Sequence, residues 1–173
     1  VAGFSAISKS LALGESTVAV AAAGADKIVE ILKEMKEKIV TATGANVDHS
    51  KLSTDVTALS NQITSIIGAA QFNGMNLLSD AGSGTGTSLK VLSSLDRTSS
   101  AVTATSITVK SVEFTTDLAA AGTLSVANVS DANTALATIE TLITAAIKGA
   151  ADLGSSKGHI EDQQKFVSKL VDA

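Results

Sequence analysis

The 173-residue chain has no cysteine, proline, tryptophan or tyrosine, and aromatic residues make up only 2% of it. Without cysteine there are no disulfides and no thiolate chemistry, although that alone names no compartment. The lack of proline suits long uninterrupted helices, because an interior proline costs about 3 kcal/mol. Few aromatics means few of the bulky side chains on which globular cores usually rely. Apolar residues still make up 45% of the chain, much of it alanine and valine. Burial therefore has to come from many small contacts along long helices, which predicts an elongated shape. No long hydrophobic run occurs either. The most apolar one, Val18–Ala25, is far shorter than the roughly twenty residues of a membrane span, so membrane insertion is not expected. Neither sign of charge dominates. The net charge is −4, and the basic residues are scattered apart from Lys33, Lys36 and Lys38 among glutamates. Without a basic groove or aromatic platforms, nucleic-acid binding is not expected. The opening Val1-Ala2-Gly3-Phe4 has no initiator Met, basic region or cleavage site. It is no recognisable secretory signal, and it reads as a cut from something longer.

What is present is a heptad. Phe4, Ile7, Leu11, Gly14, Val18, Ala21, Ala25, Ile28, Leu32, Met35 and Ile39 alternate steps of three and four. Such a repeat predicts a helix wound against partners. From Phe4 to Ala42 it would span roughly 60 Å. Leu13, Val20, Val29 and Ile31 widen the stripe, which suits a bundle better than a two-stranded coil. Glu34–Lys38 and Lys33–Glu37 are spaced as i,i+4 pairs on the polar side. Gly44 stops this helix, and Asp48 or Ser50 can cap the next one. There Leu52, Val56, Leu59, Ile63, Ile66 and Ala70 repeat the alternation. The connector between them is short and predicts antiparallel neighbours.

The pattern then breaks at Gln71-Phe72-Asn73-Gly74-Met75-Asn76-Leu77-Leu78. Asn73-Gly74 is a reversal signal, since both residues tolerate positive φ, and the flanking apolar residues should pin the turn to a core. Ser79–Ser88 is a Gly/Ser/Thr stretch too flexible for regular structure. Its glycines lack the lysine and immediate helix of a phosphate loop. Leu89–Leu92 and Ser106–Phe114 are short β-type runs, with Ile107, Val109, Val112 and Phe114 on the apolar side. Asn128 or Ser130 caps a third long helix with Asp131 in its first turn, where the helix dipole favours negative charge. Its stripe runs through Val129, Ala132, Leu136, Ile139, Ile143, Ala146, Ala150 and Leu153, then Ile160, Val167 and Val171. Lys157 and Gln164 interrupt it, and Gly149, Gly154 and Gly158 weaken the helix by about 1 kcal/mol each. The helix should be firm to Leu153 and looser beyond. His49 beside Asp48, and the distant His159, lack further metal ligands. No convergent polar constellation suggests an enzyme, and no cofactor is expected. Asn128-Val129-Ser130 matches a glycosylation sequon, but at a helix start it reads as a cap.

Three features resemble bacterial flagellin. One is Gln71 to Leu78, similar to the junction where that family's helical core hands over to its β-rich outer part. Another is Ala135-Leu136-Ala137-Thr138-Ile139, continuing through Asp152-Leu153-Gly154-Ser155-Ser156, which is similar to the family's carboxy-terminal helix. The third is the order of elements: two helices, a variable insert and one returning helix. The fold class expected is mainly α, an elongated antiparallel three-helix bundle with a small β-hairpin-like insert. Residues 1–80 with 128–173 should form a discontinuous helical core, and 81–127 an insert at the tip of the bundle. The expected core includes Leu32, Met35, Ile39, Leu59, Ile63, Ile66, Leu136, Ile139 and Ile143.

The resemblance implies a structural subunit exported through the flagellar type III channel and polymerised outside the cell. It implies partners too: other flagellin subunits, the export apparatus with its chaperone, and hook-associated proteins. It also implies terminal helices lying before Val1 and after Ala173. In flagellins recognised by the innate immune receptor, the matching part of the first helix reads leucine-glutamine-arginine-x-arginine-glutamate-leucine. Here Glu34 replaces the first arginine and Lys38 the closing leucine. Two rival readings remain: a hook-associated junction protein of the same family, and a chemotaxis-receptor-like coiled coil. The second requires heptads running through a symmetric hairpin tip.

Overall fold

The computed structural model describes residues 2–72, 74–79, 88–97 and 102–172. Most of the Ser79–Ser88 stretch thus lies outside the described residues, as does Asn73. The elements are α1 (Ala2–Ala42), α2 (His49–Ala69), β1 (Gln71–Phe72), β2 (Met75–Asn76), β3 (Ser88–Arg97), β4 (Val102–Lys110), α3 (Phe114–Asp117), a 3-10 turn (Ala119–Thr123) and α4 (Val129–Asp172). The fold is mainly α-helical with a small antiparallel β insert. Its strands form two separate antiparallel pairs, β1 with β2 and β3 with β4.

The stripe of α1 is the buried spine. Ile7, Leu11, Val18, Ala21, Ala25, Ile28, Leu32, Met35 and Ile39 are all buried. Phe4, the first stripe position, is instead 37% exposed, and Leu13 is 46% exposed. Phe4 lies at the end of the bundle, where the layers that cover the stripe run out, and Leu13 falls outside the three-four alternation. Antiparallel α4 covers α1, and Ala132, Ile139, Ala146, Leu153, Ile160 and Val167 face inward. α4 stays helical past Gly158 to Asp172. Its far half has its own partner, since Gln163 Nε2 donates to Ser93 O at 2.7 Å.

The third layer is shared between two elements, which is where the fold departs from a plain three-helix bundle. α2 lies beside the far half of α1, with Leu52, Val56, Leu59 and Ile63 buried. β3 lies beside the near half. Leu92 N donates to Ser10 Oγ at 2.8 Å, and a Cβ added at Gly14 would stand 2.5 Å from Val91 Cγ2. The strands also differ from expectation. β3 continues past Leu92 to Arg97, and β4 starts at Val102 and ends at Lys110. A register shift between Leu92 and Ser94 breaks the period of two that sequence patterning relies on. Val112 and Phe114 lie after β4, and Phe114 opens α3, a one-turn helix absent from the sequence reading.

The caps choose between the open alternatives. Asp48 Oδ1 accepts from Lys51 N at 3.0 Å, and Asn128 Oδ1 accepts from Asp131 N at 2.8 Å. His49 Nε2 donates to Ala42 O at 2.8 Å, so this side chain closes the end of α1. Lys27 pairs with Glu30 along α1, but the two lysines further on pair with other helices. Lys38 Nζ lies 3.5 Å from Asp55 Oδ2, and Lys36 pairs with Glu140. The pairs Glu34–Lys38 and Lys33–Glu37 do not form among the described residues. An i,i+4 pair contributes only a few tenths of a kcal/mol, so a carboxylate on a neighbouring helix readily displaces it.

Two substitutions five residues apart on α4 separate close packing from helix propensity. A Cβ at Gly149 would stand 2.5 Å from Phe114 Cε1, whereas Gly154 has nothing within 4 Å. Gly149→Ala should cost about 1–3 kcal/mol by displacing the ring. Gly154→Ala should instead stabilise by up to about 1 kcal/mol. Equal shifts in thermal midpoint for the two would mean that Phe114 does not pack there. Ile139, fully buried, gives a further check. Ile139→Asp would bury an unpaired carboxylate and should cost several kcal/mol, so unfolding within a degree or two of the parent would place the stripe on the wrong face.

Candidate functional site: the chain-reversing turn and the exposed faces

α2 ends at Ala69, and Ala70 N donates back to Ile66 O at 3.0 Å. The chain then reverses at once. Gln71 pairs with Asn76 and Phe72 with Met75, which leaves Asn73 and Gly74 as the two linking residues. Gly74 has φ +83 and nothing within 4 Å of where a Cβ would lie. Its glycine is therefore required by backbone conformation and not by crowding. Gln71 is exposed, and Phe72 and Met75 are half-buried.

Asn76 ties the turn down, a role the sequence reading missed. Its Nδ2 donates to Ile67 O at 2.7 Å, and its Oδ1 accepts from Leu78 N at 2.9 Å. One amide thus satisfies a free carbonyl at the end of α2 and orients the outgoing chain. Leu77 and Leu78 are fully buried. Leu78 drives toward α1 at Gly24, where an added Cβ would lie 2.9 Å from Leu78 Cδ1. The returning chain is stapled to the same residues. Val112 N donates to Leu77 O at 2.8 Å, Phe114 N to Leu78 O at 3.1 Å, and Thr115 Oγ1 to Ser79 Oγ at 3.0 Å. The sequence reading gave Gly24 no role and Gly149 only that of a weak point in the helix, so neither seat was foreseen.

Of the expected core, Leu32, Met35, Ile39, Leu59, Ile63, Ile139 and Ile143 are buried, while Ile66 and Leu136 are half-buried against the same cluster. Glu34 is exposed on α1, and Lys38, one turn on, is held toward α2 by Asp55. Ten residues separate Glu34 from Gly24, about 15 Å along the axis, so the turn and this surface form two places and not one site.

Two open grooves mark the surface. One, of ≈ 590 Å³, runs between the end of β4 and α4 and carries Lys110, Glu113, Asp117, Lys148 and Asp152. The other, of ≈ 530 Å³, is apolar and lies where Phe4, Leu95, Phe166 and Leu170 converge. Among the described residues, no group of three or more His, Asp or Glu side chains could hold a metal ion, and no described helix is long and apolar enough to cross a membrane.

With this geometry in hand, the comparisons with known proteins agree with one another. The model of the bacterial flagellin N-terminal helical region matches residues 1–83. The flagellin of Brucella melitensis is 35% identical over 98% of this chain, and flagellin FljM of Caulobacter vibrioides is 32% identical over 97%. The chain is similar to flagellins along almost its whole length. It spans 61% and 59% of the length of these two relatives. The flagellin crystal structure from Bacillus cereus shares its fold, with a TM-score of 0.73 over 91% of this chain and 86% of that one, at 20% identity. So does a putative flagellar hook-associated protein from Vibrio parahaemolyticus, with a TM-score of 0.67 over 97% of this chain and 86% of that one, at 14% identity. The receptor-like coiled coil, by contrast, would need heptads running through a symmetric tip, and this chain has paired strands after α2 instead.

The turn yields a paired test. Asn76→Ala leaves Ile67 O and Leu78 N without that partner and should cost about 1–3 kcal/mol. Gly74→Ala should cost about 1–2 kcal/mol from backbone strain alone. Denaturant unfolding measures both. A neutral Asn76→Ala would mean that water replaces the amide without loss.

Proposed function

We propose that this chain is a structural subunit of the bacterial flagellar filament, polymerising outside the cell into a helical assembly that serves motility. The carrying observation is alignment with flagellins over 97–98% of the chain, on a fold whose stripe, turn and returning helix all serve packing. In this reading residues 1–80 with 128–173 form the discontinuous helical core, a three-helix bundle with coiled-coil-like pairing, and residues 81–127 form the insert. The export apparatus, its chaperone and hook-associated proteins are the further partners. Elongated subunits with heterologous contacts build open helical assemblies. A second reading, a hook-associated junction protein, draws on the Vibrio parahaemolyticus fold match. The sequence relatives named above are flagellins, which favours the first.

A chimera tests the assignment. The matched region of the Brucella melitensis flagellin would be replaced by this chain and expressed in a strain without its own flagellin. Filaments seen by electron microscopy, with swimming restored, are expected. Export without filaments would overturn the filament reading in favour of the junction protein. The 173-residue chain by itself should remain a monomer of about 17 kDa by light scattering at rising concentration and salt. Its side-to-side surfaces are largely polar, and such contacts rarely hold an assembly at low concentration. Long filaments from this chain alone would show that the bundle faces carry assembly.

The surface around Glu34 and Lys38 predicts poor activation of the innate immune receptor that reads this part of other flagellins. Glu34 reverses a charge there, and Lys38 removes an apolar anchor and is engaged with Asp55. Losing a guanidinium and an apolar contact should weaken the interface by at least about 2 kcal/mol. Glu34→Arg with Lys38→Leu should raise activation in a reporter-cell assay. Potent activation by the unmodified protein, free of contaminating ligands, would refute the reading.

A further inference from the structure

We draw no further inference here: the strongest candidate, the apolar groove at the end of the bundle where Phe4, Leu95, Phe166 and Leu170 converge, carries nothing because nothing in the structure shows what covers it.

Discussion

Close approach to α1 is the constraint on which the other contacts depend. With so few aromatic side chains, large rings cannot fill gaps between layers, so the layers themselves must come near. α1 permits this by alternating bulky stripe residues with small ones. Gly14, Ala21, Gly24 and Ala25 lie among Leu11, Val18 and Ile28, and Val91 and Leu78 enter at the two glycines. Fully burying one Leu, Ile or Val side chain contributes about 1.5–3 kcal/mol. An exposed ion pair contributes about 0–1 kcal/mol. Lys36–Glu140 and Lys38–Asp55 therefore orient the helices, while the stripe supplies the cohesion.

From that constraint follows the division of the third layer. α2 covers α1 only as far as Gly24, where the chain reverses, and beyond it the stripe would face water. β3 occupies that space and brings polar fastenings with it. Ser10 takes the backbone amide of Leu92, and Gln163 donates to the carbonyl of Ser93. These bonds lie at the register shift, one at Leu92 and one at Ser93 within it. A bulge leaves backbone groups without their ladder partners, and helix side chains satisfy some of them here. The hairpin is part of the wall around α1 and not an appendage. Its entry and exit are held together by the bonds between Leu77–Leu78 and Val112–Phe114.

Much of this could be read in the sequence where periodicity and burial coincide. The alternation of three and four placed Ile28, Leu32, Met35 and Ile39 inside, and Asn73-Gly74 marked the reversal that β1 and β2 flank. Three kinds of feature resisted reading. Phe4 and Leu13 are apolar yet exposed, because periodicity reports a face and not whether a partner reaches it. Phe114 read as a strand residue because α3 is one turn long, too short for a helical period to register. Asn76 and the seats at Gly14, Gly24 and Gly149 depend on residues distant in sequence. A side chain's chemistry shows that it can donate or make room, but not to whom.

The same packing logic bears on the proposed role. A subunit repeated along a lattice has to keep its own shape while its surfaces are free to meet copies of itself. Here the buried stripe of α1 is packed from within the subunit, and α2 from Thr57 to Ala69 carries no charged residue. Uncharged small side chains such as Asn61, Gln62 and Ser65 incur no ionic desolvation when another surface approaches, and they impose no like-charge repulsion between identical copies. The charges of α2 are confined to its first two turns, at Lys51 and Asp55. A fold held from within and uncharged along one flank meets what side-by-side repetition requires.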